Sequence, residues 1–223
     1  MFSSSDFAKI ASFIQIEWSH LSPLCALIPN ADQRVHFFND KGNEYKEYMV
    51  SRSARATVIA FSQTSDSLAI GFNDGEVSLW RSGNTNDAPH VHEGPVNLLC
   101  WHPNCPYFLS ASEDGCICCW NTATVIVPLF KACSSVIFTR SVWSPSEIPF
   151  AFLASSEGLL FSFENGSEDC LNEICSCPKP IHLLRIVPAA HRVVVVSGEN
   201  YLSQYNLPPN IAKYNQLKLP AGD

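Results

Sequence analysis

The chain has 223 residues, of which 46% are hydrophobic and 16% charged, and its net charge is −7. These values predict a folded protein with a large core and exclude a disordered chain. The acidic balance argues against a broad nucleic-acid or anionic-membrane surface. No apolar run approaches the roughly 18 residues that a transmembrane helix needs, so we predict no transmembrane segment.

The chain begins with Met1 to Asp6, which lack the basic and apolar segments of a secretory signal, so a cytoplasmic location is expected. A first strand-and-turn unit follows, with Trp18 and the apolar segments 24–28 and 35–38. This unit is the first copy of an internal repeat.

The second and third copies show the repeat most clearly. Asp74, Gly75 and Trp80 recur 40 residues later as Asp114, Gly115 and Trp120. The Asp-Gly pairs favour hairpin turns that need positive φ, which glycine adopts without steric cost. The aromatic residue that ends the third strand is expected to fill the wedge between neighbouring sheets.

Two more copies complete the pattern. Gly158 and Phe163 lie 43 residues after Gly115 and Trp120, and Tyr205 lies 42 residues after Phe163. A period of about 40–45 residues with this layout is typical of WD40 propellers. The sequence therefore predicts an all-β, WD40-type β-propeller over residues 1–223, with approximate blades at 12–50, 55–90, 92–130, 133–177 and 180–223. Five blades are expected to leave the ring incomplete.

One blade has the residues of an internal hydrogen-bond set that resembles the WD40 family. His92 matches the histidine of the family's Gly-His pair, although Val91 replaces the glycine. Asp114, Trp120 and either Ser110 or Ser112 match the remaining members. A buried aspartate in a turn needs hydrogen-bond donors, which the imidazole, hydroxyl and indole groups supply.

Three further segments carry a closer resemblance. The run from Val96 to Pro103, the run from Ser156 to Phe161 and the stretch from Ile181 to Tyr205 follow each other at blade spacing. From Ile14 to Tyr205 the chain resembles the N-terminal propeller of the 140-kilodalton subunit of intraflagellar transport complex A. Members of that family continue with more blades, a second propeller and helical repeats, so we expect this chain to be part of a longer protein.

Histidine and cysteine side chains suggest two other kinds of site. Cys116 and Cys119 have the spacing of half a zinc site, with His102, Cys100 and Cys105 upstream. Residues three apart on a strand point to opposite faces, so reduced, buried thiols are the preferred interpretation and no metal or other cofactor is predicted. Cys175 and Cys177 are expected to be reduced thiols in a segment at the solvent edge. Without a secretory signal, all ten cysteines are expected to be reduced.

His92, Asp114 and a serine also have the composition of a hydrolase triad, but the blade motif explains the same residues without a cleft. The resemblance implies a non-catalytic scaffold that acts in retrograde ciliary transport and cilium assembly. Its expected partners are other subunits of a multiprotein transport complex and ciliary cargo or adaptor proteins, without nucleic acid. The expected locations are the cytoplasm, the cilium and the ciliary base. A vesicle-coat or other trafficking WD40 scaffold is the main alternative, and a Cys/His-dependent enzyme is a further one.

Overall fold

The structure is a computed structural model that describes residues 13–30, 34–145, 150–164, 170–198, 201–207 and 213–218. These residues form five antiparallel sheets and two short 3₁₀ turns, Lys46–Tyr48 and Pro188–Ala190. The predicted all-β, propeller-type fold class is therefore confirmed. The chain divides into two compact units, Met1–Lys131 and Ala132–Asp223, and each is described by itself.

The first unit contains three sheets, in the strand orders β1-β2-β3, β4-β5-β6-β7 and β11-β10-β9-β8. The boundary between the units falls inside β11. The strands are β1 (Phe13–Trp18), β2 (Leu24–Pro29), β3 (His36–Asn39), β4 (Ala56–Phe61), β5 (Ser67–Phe72), β6 (Val77–Arg81), β7 (Asn84–Asp87), β8 (Val96–Trp101), β9 (Tyr107–Ser112), β10 (Cys116–Asn121) and β11 (Val127–Cys133).

The second unit contains two four-stranded sheets, in the orders β12-β13-β14-β15 and β16-β17-β18-β19. Its strands are β12 (Phe138–Trp143), β13 (Phe150–Ser155), β14 (Leu159–Glu164), β15 (Leu171–Ser176), β16 (Ile181–Val187), β17 (Arg192–Ser197), β18 (Tyr201–Asn206) and β19 (Lys213–Lys218). The blade boundaries given above stay predictions, because sheets locate strands without defining where one repeat ends.

A β-bulge recurs at the same place in all five sheets. In each case the first strand loses register with the second strand just after its first paired residue. Such a bulge bends the strand and increases its local twist. The bulges follow Phe13, Ala56, Val96, Phe138 and Ile181. This recurrence shows that the five sheets are copies of one unit even where their sequences differ.

The middle strands of the sheets form the cores. Every residue of β5 and β13 is buried, whereas every residue of the outer strand β7 is exposed. A strand buried on both faces loses the alternation of apolar and polar residues, which explains the continuous apolar runs in these segments. The cores are rich in aromatic and branched side chains such as Phe37, Ile59 and Phe152.

Side chains link neighbouring sheets of the first unit. The Gln15 amide donates to the Ile59 carbonyl and accepts from the Ile59 amide, at 2.8 and 2.9 Å, which joins β1 to β4. The Trp101 indole donates to the Ala60 carbonyl at 2.8 Å, which joins β8 to β4. Because buried backbone groups need partners, these bonds also satisfy backbone groups of β4, which is an edge strand of its sheet.

The first copy of the repeat has one strand fewer than each of the other four copies among the described residues. Its sheet has three strands among the described residues, and the chain after β3 turns back at Asp40–Gly42. The Asn39 side chain accepts from the amides of Lys41 and Asn43, both at 2.9 Å, and Gly42 has a φ of 83°. After this polar turn the returning chain pairs through isolated bridges, Phe38 with Glu44 and Val35 with Val50.

Candidate functional site

A chain of buried polar groups crosses the third sheet. The Trp120 indole on β10 donates to the Ser110 hydroxyl on β9 at 2.8 Å. The Ser110 hydroxyl in turn lies 2.6 Å from Nε2 of His92, which precedes β8. All three residues are 0% exposed. We call His92, Ser110 and Trp120 the buried polar chain.

The direction of one of these bonds follows from the chemistry of the groups. An indole N–H can only donate, so Ser110 Oγ accepts from Trp120. A hydroxyl can donate one bond and accept two, so the direction of the bond between Ser110 Oγ and His92 Nε2 depends on which imidazole nitrogen carries the hydrogen. Nδ1 faces Oδ1 of Asp114 at 3.9 Å, beyond hydrogen-bond distance.

The Asp114 carboxylate has other partners. Its two oxygens accept from the amides of Glu93 and Cys116, at 2.7 and 2.8 Å. Partial burial would raise the pKa of Asp114, but these amide bonds, together with the interactions of His92 and Ser112, hold that pKa below its ordinary value. Asp114 thus closes the turn before β10 and ties it to the segment that carries His92.

The two candidate serines have different roles. Ser110 belongs to the buried polar chain, whereas the Ser112 hydroxyl donates to the Gly94 carbonyl at 2.7 Å and accepts from the Asp114 amide. Both serines are 0% exposed, so a substrate could not reach their hydroxyls.

Burial lowers the pKa of His92 to about 4, against the opposing effect of the Asp114 charge.

The second sheet holds only part of the equivalent set. Asp74 accepts from the Glu76 amide at 3.1 Å, as Asp114 does from Cys116. Trp80 is 1% exposed and stacks on Phe37 of the preceding sheet, with ring centroids 4.4 Å apart. Ile70 stands where Ser110 stands 40 residues later. The Trp80 indole N–H consequently has no hydrogen-bond partner among the described residues.

Arg52 stands 40 residues before His92 and makes a different network. Its guanidinium donates to Glu76 and, at 2.8 and 2.9 Å, to Ser78 and Asp87. The same group lies 4.7 Å from the centroid of the Phe72 ring. A planar, five-donor group serves several acceptors at once, so a surface ion-pair network replaces the buried set in this sheet.

The predicted turn glycines all have positive φ: 87° at Gly75, 79° at Gly115 and 89° at Gly158.

The structure places the predicted aromatic residues at buried positions. Phe163 lies edge-on to Trp143 with ring centroids 6.2 Å apart, and the Tyr205 hydroxyl lies 2.9 Å from the Cys175 thiol. Burial and the Cys175 bond raise the pKa of Tyr205.

The cysteines show no metal-site geometry. Among the described residues, no group of three or more His, Cys, Asp or Glu side chains is placed to hold an ion. The expectation that all ten cysteines are reduced is wrong for Cys116 and Cys133, which are disulfide-bonded. Spacing alone could not reveal this, because a disulfide depends on the distance between strands. Burial raises the pKa of Cys25 to about 11 and that of Cys119 to about 12.

Sequence reasoning missed two features of the first unit. One is the Arg52 network, which a comparison at the 40-residue offset from His92 would have located. The other is the pair of links from Gln15 and Trp101 to β4, for which no local motif exists. No helix in the described part of the chain is long and apolar enough to cross a membrane.

Comparison with known proteins gives two matches. A family model described as the IFT140 first beta-propeller matches residues 5–124, slightly more than half of the chain. The chain is also 37% identical, over 73 residues, to the Retinoblastoma-binding protein 5 homolog of Drosophila melanogaster. That alignment covers 31% of this chain and 14% of the relative's length, so it compares one segment of each protein.

Proposed function

This chain belongs to the family of the IFT140 first β-propeller, and we propose that it acts as a structural subunit of intraflagellar transport complex A, in retrograde ciliary transport and cilium assembly. The proposal places the protein in the cytoplasm, at the ciliary base and in the cilium. Its proposed partners are other subunits of the complex, together with ciliary cargo or adaptor proteins.

A scaffold role is supported by the hydrogen bonds of His92, Ser110 and Asp114, which stabilise the sheet. The three groups with catalytic composition all make hydrogen bonds within the third sheet and its turns. Ser110 bonds to His92, and Asp114 bonds to the amides of Glu93 and Cys116. An acyl-transfer site needs an exposed nucleophile beside a base and an oxyanion site. Here the serine hydroxyl is 0% exposed and lies between an indole and an imidazole. The arrangement supports structural use of these residues.

Association with complex A subunits tests the proposal directly. We expect the purified chain to co-elute with complex A subunits in size-exclusion chromatography and to be recovered with them from ciliated cells. Vesicle-coat subunits serve as the matched bait for the alternative trafficking role. Recovery with the coat subunits alone would overturn the ciliary assignment and favour the alternative.

A cellular experiment tests the retrograde role separately. Loss of the gene is expected to shorten cilia and to leave transport particles accumulated at the ciliary tip, because return transport fails. Re-expression of the wild-type protein should reverse both effects. Cilia of normal length without accumulation at the tip would contradict a retrograde function.

A further inference from the structure

The first unit has a surface pocket whose lining includes three aromatic side chains and one carboxylate. The pocket has a volume of about 210 Å³, and its lining includes Leu24, Tyr45, Tyr48, Asp66, Trp80 and Ser82. We call it the tyrosine pocket. A second depression of about 410 Å³ adjoins it and shares Asp66 and Ser82 with it. The two together form a groove.

The aromatic wall is preformed. Tyr45 stacks on Tyr48 with ring centroids 5.0 Å apart, and Tyr48 lies edge-on to Trp80 at 5.4 Å. The β6–β7 turn also lies close to Tyr48, and in this turn Ser82 and Gly83 have φ values of 47° and 87°. A β-carbon at Gly83 would lie 3.2 Å from the Tyr48 ring, so the turn and the ring are in close contact. A wall fixed in this way costs a ligand little ordering.

Asp66 supplies an oriented negative charge at the junction of the two pockets. The hydroxyls of Ser19 and Ser22 both donate to its Oδ1, at 2.6 and 2.8 Å. No Lys, Arg or His in the described ranges forms an ion pair with Asp66, and its side chain is exposed. The two serine bonds leave the second oxygen, Oδ2, as the acceptor for an incoming group.

The nearby cation does not neutralise this carboxylate by contact. Arg81 lines the adjoining pocket, where its guanidinium donates to Ser67 and to the carbonyls of Thr122 and Thr124. Its position is therefore determined by these acceptors. The carboxylate of Asp66 keeps its charge available for a ligand.

We propose that the tyrosine pocket binds a lysine side chain of a partner protein, with the ammonium group at Asp66 and the apolar stem along the tyrosine rings. Lysine fits better than arginine because only one carboxylate oxygen remains, whereas a guanidinium favours two parallel bonds. Long cationic side chains bury their stems against apolar surface, and a cation gains from nearby aromatic rings. The chain's net charge of −7 also favours a basic partner. The choice of a polypeptide ligand rests on the proposed scaffold function.

A titration followed by NMR tests the pocket with the full chain. The probes are Nα-acetyl-lysine methylamide and its uncharged analogue, Nα-acetyl-norleucine methylamide, both at millimolar concentrations. We expect the lysine amide alone to give saturable shifts at the amides of Asp66, Ser67, Ser82 and Gly83. Asp66→Asn should weaken this binding at least about threefold, in line with the strength of an exposed ion pair. Glu113→Gln, which removes an exposed charge from a turn of the third sheet, should leave it unchanged.

Three results of the NMR titration would contradict lysine binding in the tyrosine pocket. Equal shifts with both probes, no saturable shift, or unchanged binding in Asp66→Asn would each overturn the lysine pocket. Thermal unfolding of both variants at the wild-type temperature verifies that they are folded. The scaffold proposal has a separate test. It fails if complex A subunits do not associate with the wild-type chain, even when the lysine amide binds to the tyrosine pocket.

Discussion

Trp80 and Trp120 occupy equivalent positions 40 residues apart, yet only Trp120 has an acceptor for its indole N–H among the described residues. Both rings are buried, at 1% and 0% exposure. The difference arises on the neighbouring strand, where Ile70 replaces the serine found at Ser110. The same aromatic residue is therefore held by packing alone in one sheet and by packing plus a hydrogen bond in the next.

This difference predicts unequal costs for the same substitution. Trp120→Phe removes a buried hydrogen bond, whereas Trp80→Phe removes a buried donor that has no partner. Because the loss of ring volume is the same, we expect Trp120→Phe to reduce the free energy of unfolding by about 1–2 kcal/mol more than Trp80→Phe. Urea unfolding of both variants measures the difference. Equal losses would show that the indole bond contributes nothing.

Ser110→Ala tests both the buried polar chain and the enzymatic alternative. The substitution leaves the Trp120 N–H and His92 Nε2 unpaired in the core, and each such group costs about 1–3 kcal/mol. We expect a clear loss of stability by calorimetry. Ser162→Ala is the control, since its buried hydroxyl makes one long bond of 3.5 Å, to the Asn172 carbonyl. A stable Ser110→Ala protein that loses a hydrolytic activity would instead support an enzyme.

His92 makes stability depend on pH in a defined range. Its pKa falls from an ordinary value of 6.5 to about 4 in the folded protein, so the unfolded chain binds the proton first as pH decreases. The stabilisation is complete above about pH 6.5 and is lost progressively towards pH 4. We expect a loss of about 2 kcal/mol between pH 7 and pH 5, measured by urea unfolding at each pH.

Two variants identify the residue responsible for that pH dependence. His92→Gln should flatten the dependence between pH 7 and pH 5. Asp114→Asn should retain it, because the lowered pKa of Asp114 affects stability only below its ordinary value of 3.8. If the His92→Gln protein keeps the full slope, another group causes the dependence.

Two glycines with the same backbone conformation provide a matched test of crowding. Gly75 and Gly83 both have a φ of 87°. A β-carbon at Gly75 would lie 2.2 Å from the His92 carbonyl oxygen, whereas at Gly83 it would lie 3.2 Å from the Tyr48 ring. We expect Gly83→Ala to cost about 1–2 kcal/mol for its left-handed backbone, and Gly75→Ala to cost more than about 3 kcal/mol because backbone must move. Thermal unfolding compares them, and similar costs would contradict the close approach of the Gly75 turn to His92.

The fold was largely predictable because the sequence contains an internal repeat with the spacing of propeller blades. Gly75, Gly115 and Gly158 recur at blade spacing, and the turns they form require positive φ, a local property of glycine. The site was only partly predictable. His92, Asp114 and Trp120 could be named, but the choice between Ser110 and Ser112 depends on which hydroxyl lies between the indole and the imidazole.

The sequence by itself determined the all-β repeat architecture and, through its resemblance to known proteins, the family. Local turn chemistry and a 40-residue spacing are sufficient for the repeat architecture, since both are visible along one chain. Tertiary structure alone decided how Arg52 reaches Glu76 and Asp87, how Gln15 joins β1 to β4, and how Tyr48 and Asp66 meet at one pocket. Those contacts join segments far apart in the chain, and the distances between them are established only when the sheets pack.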